Sequence, residues 1–133
     1  MKILVVEDDF ASRKLLIVLL SKYGKCDMAC NGVEGLEAYL LSLESGEKYD
    51  LITLDIMMPE MSGHEVLKRI RTMEHDRQLD PVCIMMTSAL SDGENILRAF
   101  KNQCEACLRK PISKSELSKK LVELGLIPVT ADA

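Results

Sequence analysis

The stretch Leu51-Ile52-Thr53-Leu54-Asp55-Ile56-Met57-Met58-Pro59 decides how the rest of the chain is read. A nearly continuous apolar run, closed by a carboxylate and then by a Met-Met-Pro turn, reads as a buried parallel strand ending at Asp55. Open α/β sheets gather their ligand chemistry at that end of their strands. Three further features reach the same edge: Glu7-Asp8-Asp9 after Ile3-Leu4-Val5-Val6, Thr87-Ser88 after residues 82–86, and Lys110-Pro111 after a short fifth strand. A lone carboxylate, an acid cluster, a hydroxyl and an ammonium at four strand ends suggest a metal-assisted phosphoryl site.

Working outward, apolar runs alternate with helical patterns five times. Residues 3–6, 51–54 and 82–86 are apolar enough for strands covered on both faces, whereas 26–30 and 105–108 are mixed, as edge strands are. Helical periodicity covers residues 10–23 (Leu15, Leu16, Val18, Leu19), 33–43 (Leu36, Leu40, Leu43) and 65–74 (Val66, Leu67, Ile70, Met73). It returns at 94–102 (Ile96, Leu97, Phe100) and 115–124 (Leu117, Leu121, Leu124). Asn31-Gly32, Ser45-Gly46, Ser62-Gly63, Ser91-Asp92-Gly93 and Gly125 supply the breaks. Five βα units with right-handed crossovers make a parallel sheet with helices on both faces. Apolar first, third and fourth strands with mixed second and fifth strands favour the order 2-1-3-4-5, a flavodoxin-like, doubly wound (βα)5 α/β fold.

The bulk numbers agree. A chain of 133 residues suits one domain, expected over residues 1–124 with 125–133 as a short tail. Lys+Arg 17 against Asp+Glu 21 gives −4, so no bulk positive field draws in nucleic acid. The longest apolar stretch, residues 15–20, is too short to span a bilayer, and Lys2 leads at once into a strand, so a cytoplasmic location is expected. The five cysteines are expected to be reduced. Cys104 and Cys107 form a C-x-x-C that suits a redox pair or half a zinc site, but no second C-x-x-C or paired histidines complete a ligand set, and they read as small buried thiols. His64 and His75 read as surface residues flanking the third helix. The methionines read mostly as core and loop packing.

In the order 2-1-3-4-5 the first and third strands flank the switch point, so Glu7, Asp8 and Asp55 share a crevice. Three close carboxylates repel unless a cation sits among them, and a hard divalent ion such as Mg²⁺ suits their oxygens. Lys110 can neutralise an incoming phosphoryl oxygen and Thr87 can donate to another, so the set is nearly complete for moving a phosphoryl group onto Asp55.

The segments Val5-Val6-Glu7-Asp8-Asp9, Leu54-Asp55-Ile56-Met57-Met58-Pro59, Met86-Thr87-Ser88-Ala89 and Leu108-Arg109-Lys110-Pro111 resemble, in order and in spacing, the receiver domain of two-component response regulators. The resemblance runs from near the start of the chain to Leu124. It implies Asp55 as phosphoacceptor and Mg²⁺ held by Asp8, Asp55, the Met57 backbone carbonyl and, largely through water, Glu7. It further implies that Thr87 and Lys110 contact the phosphoryl group and that Lys110-Pro111 is cis. Asp9 falls outside the acid pair and reads as a helix N-terminal charge. The implied partners are a histidine kinase or phosphotransfer protein as donor and a downstream protein bound by the face of the fourth helix, fifth strand and fifth helix. With no effector domain in the sequence, a stand-alone switch of the chemotaxis-regulator or phosphorelay kind is expected. The only chemistry expected is its own phosphorylation and dephosphorylation. The alternatives are a constitutive binding module, a relay intermediate and a true aspartyl-phosphate enzyme. The last needs a second acid two residues after the nucleophile, where Met57 stands.

Three positions depart from the family's habits. Cys107 stands where many receivers carry Tyr or Phe, so activation is expected to be relayed by residues 88–93 and the fourth helix. Met57 and Ala89 cannot hydrogen-bond a hydrolytic water through their side chains, so slow autodephosphorylation is expected.

Overall fold

The computed structural model describes residues 1–89, 93–101 and 103–129. The elements alternate strictly: β1 (Lys2–Val6), α1 (Phe10–Leu20), β2 (Lys25–Ala29), α2 (Gly32–Ser45), β3 (Leu51–Asp55), α3 (Gly63–Arg77), β4 (Cys83–Ser88), α4 (Gly93–Lys101), β5 (Ala106–Arg109) and α5 (Lys114–Glu123). All strands are parallel, in the order β2-β1-β3-β4-β5. The expected flavodoxin-like fold is the one observed. Among the described residues no helix is long and apolar enough to cross a membrane.

Alternation along the strands divides the core in two. Leu4, Val6, Ile52, Leu54, Ile84 and Met86 face Tyr39 of α2, Val66, Leu67 and Ile70 of α3, and Ala99 of α4. Ile3, Val5, Leu51 and Met85 face Leu16 and Leu20 of α1 and Leu117 and Leu121 of α5. The central strands are therefore buried at every position beyond the first residue of β1 and β4, whereas only one position of β2 is buried. Helix starts are set by side chains that accept the first free amides. Asp9 caps α1 through the Ser12 N–H (2.9 Å), and Asn31, Ser62 and Ser113 cap α2, α3 and α5 in the same way. Asp9 thus has the helix-terminal role expected of it.

The elements depart from the sequence expectation mainly at their ends. β3 and β4 run through Asp55 and Thr87-Ser88, because parallel pairing continues in register to Asp55↔Thr87. α1 stops at Leu20, and Leu15 and Val18 on its expected apolar stripe face solvent with Phe10. The turn 91–93, the relay segment 88–93 and the end of the 94–102 helix fall partly outside the described residues, as does the tail beyond 129.

One expectation is overturned. His64 is not a surface residue; it is 2% exposed. It lies three residues before Leu67, and so shares the buried face of α3 with Leu67, Ile70 and Glu74. His75, by contrast, is on the surface, with its side chain 91% exposed.

Glu74 on that face is a buried charge, compensated by Arg71 (Nη1 to Oε1, 2.7 Å). Arg71 also donates to the Val82 and Gln103 carbonyls and, from Nη2, to both Glu105 oxygens (2.8 and 2.7 Å). The two carboxylates in turn accept from the Val82 and Ile84 amides. The network ties α3 to the starts of β4 and β5. Removing one member of a buried ion pair leaves a charge uncompensated. Arg71→Ala is therefore expected to lower stability by roughly 2–4 kcal/mol, read as a urea midpoint shift at unchanged slope. Arg69→Ala, which breaks the exposed pair with Glu65, is expected to cost less than about 1 kcal/mol.

Candidate functional site

β1 and β3 are hydrogen-bonded neighbours, so the chain leaving each delivers its acids to one place. Glu7 follows β1 directly, and its amide donates to the Ala29 carbonyl (3.1 Å), which keeps it in the sheet plane. Arg13 reaches back from α1 to the Glu7 carbonyl (2.9 Å) and fixes the turn that carries Asp8 outward. The Ile56 amide donates to the Thr87 carbonyl (2.9 Å), and the Gly63 amide returns to the Ile56 carbonyl (2.9 Å). A side chain on Gly63 would collide with the Asp55 carbonyl. The glycine at the head of α3 is thus a packing requirement of the acid at the end of β3.

The result is a cluster in which carboxylate oxygens of Glu7, Asp8 and Asp55 all lie within 4.8 Å of one another. Glu7 and Asp55 are buried and Asp8 is exposed. Lys110, just beyond β5, places Nζ 2.7 Å from Glu7 Oε1 and 3.3 Å from Asp55 Oδ1. Its amide donates to the Ser88 carbonyl (2.7 Å), and its bond to Pro111 is cis. Thr87, paired with Asp55 in the sheet register, is fully buried, and its Oγ1 has no hydrogen-bond partner among the described residues; the same holds for Ser88 Oγ. Met57 lies in the loop after β3 and is 61% exposed.

Burial, and then the neighbouring Glu7, push the Asp55 carboxyl up to about 8, with Lys110 opposing. Burial alone would lower the Lys110 ammonium, but Glu7 and Asp55 outweigh it and hold it above its ordinary value. Two buried acids with one ammonium between them are under-neutralised, and the donors are all oxygen. The residues present fit a hard divalent cation. All the residues singled out from sequence come together except Met57, whose part rests on its main chain. Two contributors were not foreseen: Arg13, which shapes the acid loop, and the direct Glu7–Lys110 pair. The second has a sequence signal, since both residues end strands of the same parallel sheet.

The sequence model of the response regulator receiver domain matches residues 3–122. The chain belongs to that family. The receiver is 37% identical over 123 residues to the regulatory protein VanRB of Enterococcus faecalis, covering 92% of this chain and 51% of that protein. It is 32% identical over 125 residues to hybrid signal transduction histidine kinase L of Dictyostelium discoideum, covering 93% of this chain and 7% of that one. The chain thus spans about half of the regulator and a small part of the kinase. Among solved structures, the receiver domain of the histidine kinase CKI1 from Arabidopsis thaliana superposes with a TM-score of 0.79 at 27% identity, covering 93% of this chain and 89% of that one. The protein is a receiver domain of two-component signalling, homologous to those of regulators and of kinases.

A testable consequence concerns pH. The folded Asp55 carboxyl holds its proton up to about 8, whereas in the unfolded chain it releases it near about 4. In chelator, stability should therefore fall as pH rises from about 4 to about 8. Asp55→Asn is expected to flatten that slope and to raise stability at pH 8 by on the order of 1–2 kcal/mol, by urea denaturation. An unchanged slope in the variant would place the strain elsewhere.

Proposed function

We propose that this receiver accepts a phosphoryl group on Asp55 from a phosphohistidine of a histidine kinase or phosphotransfer protein, and that the aspartyl phosphate changes which protein it binds. The observation that carries this reading is Lys110 Nζ between Glu7 and Asp55 (2.7 and 3.3 Å), beside the unpartnered Thr87 hydroxyl. An Asp55 oxygen attacks phosphorus as the P–N bond of the donor breaks and the donor imidazole takes up a proton. Ionised Asp55 is the competent form, so its raised pKa must be brought down before transfer. Bound Mg²⁺, held by Asp8, Asp55 and the Met57 carbonyl with Glu7 behind, would supply that neutralisation and charge stabilisation for the phosphoryl oxygens. Lys110 then exchanges a carboxylate for a phosphoryl oxygen, and Thr87 donates to a second one.

These moves alter the ends of β4 and β5, so the face of α4, β5 and α5 is read as the surface whose affinity for a downstream protein changes. No turnover of an external substrate is proposed, since Met57 stands where a second acid would serve as general acid. The only catalysis is the domain's own phosphorylation and dephosphorylation.

Incubation with acetyl phosphate and Mg²⁺ should add one acid-labile phosphate to the wild type by intact mass. Asp55→Asn or chelator should abolish it, and Lys110→Ala should slow it by about 10²-fold or more. Equal labelling of wild type and Asp55→Asn would refute the assignment. Met57→Asn, which sets a hydrogen-bonding side chain beside the hydrolytic path, should shorten the phosphorylated lifetime.

A further inference from the structure

Cys104 and Cys107 are left over from the phosphoryl chemistry, and the fold holds them in an arrangement that a strand alone would not produce. Residues three apart on a continuous strand point to opposite faces. Here the chain turns first: Gln103 has a left-handed φ of 74°, and β5 begins only at Ala106. Both sulfurs therefore lie on the core side facing α3 and α4, 3.9 Å apart and unbonded. Glu105, one of the two residues between them, is pinned, since it is gripped by Arg71 and accepts from the Ile84 amide. The Cys104 amide donates to the Ala99 carbonyl in the last turn of α4 (3.2 Å), while Cys107 pairs with Met86, the residue before Thr87.

The two thiols are unequal. Cys104 is buried, but Cys107 is half-buried on the edge strand, and its residue borders an open pocket of about 470 Å³ whose wall also carries Lys119 and Lys120. The contact from Cys104, with a smaller effect of Lys120, holds the Cys107 thiol below its ordinary value against burial. The same contact and burial push Cys104 up. A half-buried thiol of lowered pKa beside a buried partner matches the division of labour of an attacking and a resolving cysteine.

We propose that Cys104 and Cys107 form a reversible dithiol–disulfide site, oxidised by a low-molecular-weight disulfide such as glutathione disulfide, that restrains the turn joining α4 to β5. The Cys107 thiolate attacks one sulfur of the small disulfide and expels one thiolate. Cys104 gives up its proton, attacks the Cys107 sulfur and expels the second small thiol. Two protein thiols become one disulfide, and one small disulfide becomes two thiols. Closing the bond needs about 2 Å of further approach between the sulfurs, within reach of side-chain rotation at a pinned turn. The bond would join the turn after α4, tied to that helix by the Cys104 amide, to the β5 position opposite Met86. Its effect on signalling rests on the reading under Proposed function; its formation does not.

The test equilibrates the full chain, folded and in chelator, with glutathione buffers of graded ratio, then alkylates the free thiols and maps them by mass. The expected result is loss of two hydrogens confined to Cys104–Cys107. It should persist in a Cys26→Ser/Cys30→Ser/Cys83→Ser variant, while Cys104→Ser should trap the small thiol on Cys107. A pair that stays reduced in fully oxidised buffer, or that closes only in denaturant, overturns the site. Oxidised protein should then take phosphate from acetyl phosphate at least about fivefold more slowly than reduced protein, the low end of ordinary coupling between two states. An equal rate overturns the restraint. Failure of both redox forms to label would instead count against Asp55 as acceptor, since the disulfide is read without it.

Discussion

Burying two carboxylates side by side is the constraint around which the rest of this molecule is arranged. Glu7 and Asp55 sit at the ends of adjacent strands, almost without solvent, with one ammonium to offset them. That ammonium comes from β5, which is separated from β3 by β4. Two strand spacings are about 10 Å, so a long side chain must reach over the end of β4, where Thr87 and Ser88 lie. A lysine at this point is a geometrical necessity as much as an electrostatic one. Burial and the remaining deficit of positive charge hold the Asp55 carboxyl up, a poise that fits a hard cation among the oxygens of Glu7, Asp8 and Asp55.

The supporting structure keeps that poise. Gly63 lets α3 begin against the Asp55 carbonyl, Arg13 holds the acid loop, and the Ile56 and Lys110 amides lock the loops after β3 and β5 onto β4. At the opposite edge of the same strands, Arg71 joins α3 to β4 and β5 through Glu74 and Glu105. β4 and β5 are therefore anchored at both extremities. Cys107 lies between these anchors, opposite Met86 and one residue from the register of Thr87.

Much of this was legible in the chain. Strands buried on both faces cannot alternate, so the continuous apolar runs ending at Val6 and Leu54 identify the centre of a parallel sheet, and the mixed runs its edges. Once the order is known, the position of each acid, hydroxyl and ammonium follows from chain direction. The histidines show where such reading stops. His64 and His75 look alike in sequence, and only the packing of α3 on the sheet puts one inside and the other in water. Leu15 and Val18 erred the other way, because α1 buries a narrower stripe than its composition suggests.

The sequence by itself determined the fold class, the strand order and the membership of the acid cluster, because those depend on hydrophobic period and chain direction, which are local properties. The tertiary structure decided what each charge is worth. Lys110 pairing with both acids, the raised Asp55 carboxyl, the buried Arg71–Glu74 network and the approach of Cys104 to Cys107 all depend on distances between segments far apart in the chain or on the turn that joins them. Coulomb interaction and desolvation act through space, so reading along the chain can bring such groups to one edge but cannot supply their strengths.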